Sequence, residues 1–282
     1  MRTLSKIQLC FAIVGASCLL LQSAHAALLF QDGFNYTAGT TLHGNDGWTL
    51  GGASLSITND PLTYAGLADT SPTGNALLNL SGSASSTIDS FNATAVTGGT
   101  VYFSFLLSPA ALATANNELA ALLSTGSTGP GGSADPLGVY VGQQVAGQYK
   151  IGVRHGGSGA TYATNAGMTL GSTNFFVVAY TFNPSTTDDS VSLWVNPTPG
   201  GSQPAADVTI VANSGTVDAA NLQIVGFKAQ SAASGAGNWV FDTLRIGSAW
   251  ADVTPVPEPS TFALMGLGLG LMVAMIRRRH RS

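Results

Sequence analysis

The chain has 282 residues, 45% of them hydrophobic and 9% charged, with 35 glycines and a formal net charge of −4. This apolar content excludes a charge-driven disordered chain, and the glycines keep no three-residue period, which excludes collagen. Residues 27–254 hold only Lys150, Arg154, Lys228 and Arg245 against twelve aspartates and Glu118, a balance of −9 that argues against nucleic acid as a partner, because neutralising phosphates needs clustered cations.

The first 26 residues read as a secretory signal peptide. Arg2 and Lys6 form a positive start, residues 9–21 are apolar, and Ala24-His25-Ala26 is a small-x-small site. Signal peptidase is expected to cut between Ala26 and Ala27. Cys10 and Cys18 leave with the signal, so the mature chain has no thiol and no disulfide.

From residue 27 to 254 short strand-like runs recur between Gly, Pro, Asn and Asp. They cover residues 28–30, 55–57, 76–80, 100–107, 137–141, 149–153, 175–182, 191–195, 208–211, 222–227 and 239–246. The spacing predicts an all-β fold, a two-sheet antiparallel sandwich. Val191, Leu193 and Val195 alternate onto one face. In the last run Val240, Asp242, Leu244 and Ile246 fall on one face, which sets Asp242 among apolar neighbours and in need of a hydrogen-bond donor. Leu112, Leu119, Leu122 and Leu123 follow a near-helical period, so a covering helix is expected over residues 109–123, ahead of a glycine-rich loop at 124–136.

Residues 255–282 form a separate signal. Val256-Pro257-Glu258-Pro259-Ser260 is stiff and extended, since each proline fixes its own φ and biases its predecessor away from helix. Residues 261–276 carry no charge and predict a transmembrane helix of roughly 24 Å at about 1.5 Å per residue. Arg277, Arg278, Arg279 and Arg281 follow as a cytoplasmic anchor. The order of Pro257-Glu258-Pro259, apolar helix and arginine cluster resembles the PEP-CTERM sorting signal of Gram-negative bacteria that make exopolysaccharide. That resemblance implies export, transient inner-membrane anchoring, processing by exosortase and delivery to the cell surface or outside the cell. It implies no activity for the cargo.

The cargo resembles the concanavalin A-like, laminin-G-type sandwich. The matching pieces are Asp32-Gly33-Phe34-Asn35-Tyr36 with Gly47-Trp48, then Leu193-Trp194-Val195-Asn196-Pro197, then residues 241–247 from Phe241 to Gly247. Lectins, adhesion modules and glycoside hydrolases share this shape, so the resemblance leaves activity open.

Chemistry is sparse in the central segment. Hydrolysis of a glycosidic bond usually needs two carboxyls, and sandwich hydrolases of this type place two glutamates on one strand. Here Glu118 stands alone, because Glu258 belongs to the sorting signal. A lyase using Tyr149, Arg154 and His155 is the remaining enzymatic arrangement. His43 and His155 are the only histidines of the segment, too few for zinc. No cofactor is expected. Calcium is the one ion to consider, with Asp188, Asp189 and Asp242 as candidate ligands and Asp32 nearby in the pattern. Tyr36, Trp48, Tyr140, Tyr162 and Trp250 lie in or beside loops, and Trp48 and Tyr140 are the candidate platforms for extracellular polysaccharide. The sequence reads as an exported, non-enzymatic surface or matrix protein. A lectin-like or adhesion module is the first alternative and a polysaccharide-degrading enzyme the second.

Overall fold

A computed structural model describes residues 28–49, 55–70, 73–79, 85–91, 94–112, 118–125, 135–164, 167–212, 218–229 and 237–257. The expected signal peptide, the apolar segment 261–276 and the arginine cluster lie outside these residues.

The strands in chain order are β1 (Leu28–Asp32), β2 (Leu55–Thr58), β3 (Ala76–Asn79), β4 (Ser85–Ser90), β5 (Thr100–Ala111), β6 (Glu118–Ser124), β7 (Leu137–Val145) and β8 (Gln148–His155). There follow β9 (Thr161–Tyr162), β10 (Met168–Thr169), β11 (Asn174–Thr181), β12 (Ser190–Val195), β13 (Val208–Val211), β14 (Ile224–Ala229) and β15 (Asn238–Gly247). A single-turn helix, α1 (Trp250–Val253), closes the described chain.

The strands form two antiparallel sheets, as the spacing predicts. Sheet A runs β13-β12-β11-β5-β15-β3-β2, with β1 also paired to β15. Sheet B runs β10-β8-β7-β6-β14-β4, with β9 paired to β8. Between them lies an aromatic core. Phe105 stacks on Phe241 at 4.5 Å, and Phe227 meets Phe241 edge-on at 4.5 Å, so the two sheets are joined through one ring. Edge-to-face and offset pairs of this kind add to the hydrophobic term.

The two outer faces differ. Sheet A is apolar on both sides: Leu106, Phe175, Val177 and Trp194 point outward into a second cluster closed by Leu62, Leu67, Trp250 and Val253. A sheet covered on both faces reads as a continuous apolar run, which is what Phe175 to Tyr180 shows. Among the described residues sheet B is covered outwardly by a smaller group, Leu122, Tyr140, Ala160 and Tyr162.

Two expectations are corrected. Residues 109–123 are not a helix: β5 continues through Ala111, and Glu118–Ser124 is β6, between β14 and β7. Residues 113–117 lie outside the described residues. Ala121 and Leu123 enter the core while Leu122 faces outward, a period of two that sheet pairing imposes over helix propensity. The last strand also changes phase. A bulge between Asp242 and Arg245, with Thr243 at φ 54°, moves Leu244 and Ile246 to the inner face with Phe241, away from Val240.

Candidate functional site

The outer face of sheet B gathers the unusual side chains. Along β8 the core receives Tyr149, Ile151 and Val153, so Lys150, Gly152 and Arg154 alternate outward. Gly152 pairs with Tyr140 of β7 on one side and Tyr162 of β9 on the other, which sets both phenols in one row across the strands. The glycine is required there: a Cβ at position 152 would lie 2.7 Å from the Tyr162 ring and 2.8 Å from the Thr161 carbonyl oxygen. Gly152 therefore lies between the two rings; Gly138 and Gly142 on the same face of β7, and Gly226 on that of β14, are buried.

A cation caps each ring. The Lys150 Nζ sits 4.4 Å from the Tyr162 ring centre, and the Arg154 guanidinium carbon 5.3 Å from that of Tyr140. Both distances are in the range of cation–π attraction. Burial pushes the Tyr162 hydroxyl up to about 12, with the neighbouring Tyr140 adding to the rise. Burial raises Tyr140 as well, Arg154 opposes that rise, and Asp135 supports it. Both phenols are therefore neutral O–H groups at any physiological pH, able to donate to a ligand oxygen. Lys228 follows Phe227, which is in the core, and so faces outward on β14. Lys150, Arg154, Tyr162 and Lys228 are all half-buried.

The sequence candidates fare differently. Tyr140 belongs to this face, although only 7% of it is exposed. Trp48 does not: it is 1% exposed, packs 5.4 Å from Phe227, and donates its indole N–H to Asp32 Oδ2 at 2.7 Å. Its loop position suggested a platform; the loop instead folds its ring into the core. Tyr149, Arg154 and His155 do not converge. Tyr149 and His155 point inward, Tyr149 taking a hydrogen bond from Asn174 at 2.8 Å and His155 stacking on Tyr180 at 5.5 Å, whereas Arg154 points outward. Tyr162 was legible as a loop aromatic, but the outward alternation of Lys150, Arg154 and Lys228 becomes visible only once the core face of β8 and β14 is known.

The acidic candidates separate as well. Asp188 and Asp189 come together with Asp218, one carboxylate oxygen of each lying within 4.8 Å of the others. Asp242 is not among them. Asp189 accepts the Tyr180 hydroxyl and the Asn183 amide, both at 2.6 Å, and Asp218 accepts the amides of Asp188 and Asp189. These oxygens are the donor type a hard cation takes. Asp242 sits where β15 exchanges β3 for β1 as its neighbour, beside a small polar pocket that Asn35, Asp69 and Asn75 also line. Its oxygens accept the Leu62 amide at 2.8 Å and the Thr243 amide at 2.6 Å, so this acid among apolar neighbours does find backbone donors. Burial still pushes it up to about 7, with Asp32 adding to the rise.

Residues 255–279 match the PEP-CTERM protein-sorting motif. The motif indicates an exported protein that is transiently anchored in the membrane and processed by exosortase. Pro257 is its last described residue; Glu258 and Pro259 lie outside. Among the described residues no helix is long and apolar enough to cross a membrane. No curated protein matches the chain in sequence. Similar solved structures include an alginate lyase from a Chlorella virus, 9% identical over 76% of this chain and 100% of its own, with a TM-score of 0.44. A cellulose-induced protein is 12% identical over 78% of this chain and 97% of its own, at 0.43. Lectin II from Ulex europaeus is 13% identical over 77% and 97%, at 0.40. These likenesses concern the shape of the fold alone.

Proposed function

We propose that this exported chain is a non-catalytic polysaccharide-binding protein of the cell surface or extracellular matrix, and that it holds glycan on the outer face of sheet B. One observation supports this most: Tyr140 and Tyr162 lie in one row on either side of Gly152, each beside a cation. Neutral phenols with apolar ring surface suit a sugar, which presents hydroxyls at its rim and C–H groups on its face. Signal-peptide removal after Ala26 and exosortase processing near Pro257-Glu258-Pro259 would deliver the sandwich outside the cell, where extracellular polysaccharide is the partner at hand. Tyr149 and His155 point away from Arg154, so the reading assigns these residues no catalytic role.

The test is retention of the whole chain, in mild detergent, on an immobilised exopolysaccharide. Tyr162→Ala is expected to abolish retention while the melting temperature stays near that of the parent. Equal retention of the variant would overturn the reading.

A further inference from the structure

Resting on the glycan reading above, we infer that the polymer held by this face is polyanionic, carrying carboxylates of the uronic-acid type. This very acidic segment keeps few cations. Residues 27–254 contain four of them. Arg245 is spent inside the fold, pairing with Asp69 and donating to Gln31 Oε1 at 2.9 Å and to the Asp252 carbonyl at 2.8 Å. The other three all stand on the outer face of sheet B. A chain that needed cations only for solubility would scatter them among its thirteen acids.

Their spacing has a scale. Lys150 and Arg154 are four residues apart on β8, about 13 Å along the strand, and Lys228 on β14 lies three strands from β8, about 14 Å across. The row of Tyr140 and Tyr162 crosses between the two β8 cations and runs toward Lys228. Tyr140 is nearly buried beneath Arg154, so an extended sugar chain laid along that row would rest a ring on Tyr162 and reach Lys150 and Lys228, which are half-buried. Charges this far apart would meet carboxylates several sugar rings apart on one polymer chain. They are too sparse for duplex nucleic acid, which carries one charge per ~1.7 Å of its axis.

The local field supports the same partner. Asp135 lies near the Tyr140 end and offsets part of the Arg154 charge. Neither lysine is ion-paired with a carboxylate among the described residues, so Lys150 and Lys228 carry the surplus. At physiological ionic strength the Debye length of about 8 Å separates this face from acids elsewhere on the molecule. A carboxylate meeting either lysine gains a charge-assisted hydrogen bond, roughly twice as strong as a neutral one.

The experiment compares polygalacturonate with the same polymer after its carboxyls have been reduced to alcohols, each titrated calorimetrically into the whole chain in mild detergent. The carboxylated polymer is expected to bind roughly tenfold tighter, the equivalent of one charge-assisted contact, and added salt should erode the difference. Lys150→Gln and Lys228→Gln should each weaken polygalacturonate binding several-fold and keep the parent melting temperature, and Lys228→Gln should leave binding of the reduced polymer unaffected. Equal binding of the two polymers would overturn the polyanion assignment and leave the glycan reading standing. Binding of neither would overturn both, as would tighter binding of single-stranded DNA.

Discussion

The Asp32 carboxylate holds the Trp48 indole N–H at 2.7 Å from the same oxygen that accepts the Tyr36 hydroxyl, also at 2.7 Å, while its other oxygen takes the Phe34 amide at 2.6 Å. One nearly buried acid therefore fixes the loop that carries three aromatic residues. Burial raises its pKa, and the three donors pull it back. Removing the acceptor strands a buried indole and a buried amide, each costing about 1–3 kcal/mol. Asp32→Ala should cost on the order of 3 kcal/mol in urea unfolding, with no separate loss of glycan binding at temperatures where the variant is folded.

Trp48 itself tests the same loop from the other side. Its ring contacts Phe30, Phe34 and Phe227, between the sheets. Trp48→Ala should destabilise by about 3–5 kcal/mol, as large-to-small changes in packed cores do. A platform residue would behave oppositely, losing binding at unchanged stability, so thermal melts alongside glycan titration distinguish the two roles.

These two residues also show how far the sequence could be read. The strand runs and their antiparallel spacing were legible, because period-two patterns and turn residues are local signals. Trp48 was not, since a loop aromatic becomes core only when Asp32, sixteen residues away, supplies its acceptor. The segment around Leu122 failed for a related reason. Its leucines satisfy a helical and an extended pattern alike, and pairing with β7 and β14 decides between them. The phase change at Asp242 depends on a bulge, an extra residue that propensity does not announce. The cations of sheet B share no motif at all. They become a site only through strand alternation, once the neighbours of Lys150, Arg154 and Lys228 are known to enter the core.

Gly152 makes that site sensitive to a single methyl group. An added Cβ would meet the Tyr162 ring at 2.7 Å and the Thr161 carbonyl oxygen at 2.8 Å, so β9 must move. Gly152→Ala should cost about 1–3 kcal/mol by overpacking. It should also displace the Tyr162 ring from beneath Lys150 and lower glycan binding further than the stability loss alone explains. Chemical unfolding and titration of the same sample would check both.

Two buried groups tie stability to pH with opposite signs. Asp242 rises from an ordinary 3.8 to about 7 in the fold, and burial lowers His155 from its ordinary 6.5. The fold binds the Asp242 proton more tightly than the unfolded chain does. That contribution is fully present below about pH 4 and is lost as pH rises through about 7. For His155 the unfolded chain holds the proton more tightly, so its contribution is fully present above pH 6.5 and is lost as pH falls through the lowered value. Below pH 6.5, down to the lowered value of His155, the two slopes oppose each other, each pKa unit being worth about 1.4 kcal/mol. Urea midpoints of the parent across this window should therefore change less than those of either variant. In Asp242→Asn, stability should rise with pH toward 6.5, because His155 acts without its counterweight. In His155→Leu, which keeps the apolar volume beside Tyr180, stability should fall as pH rises toward 7, by an amount on the order of a few kcal/mol. Parallel curves for the parent and both variants would mean that neither group stays in its buried, neutral state in the fold.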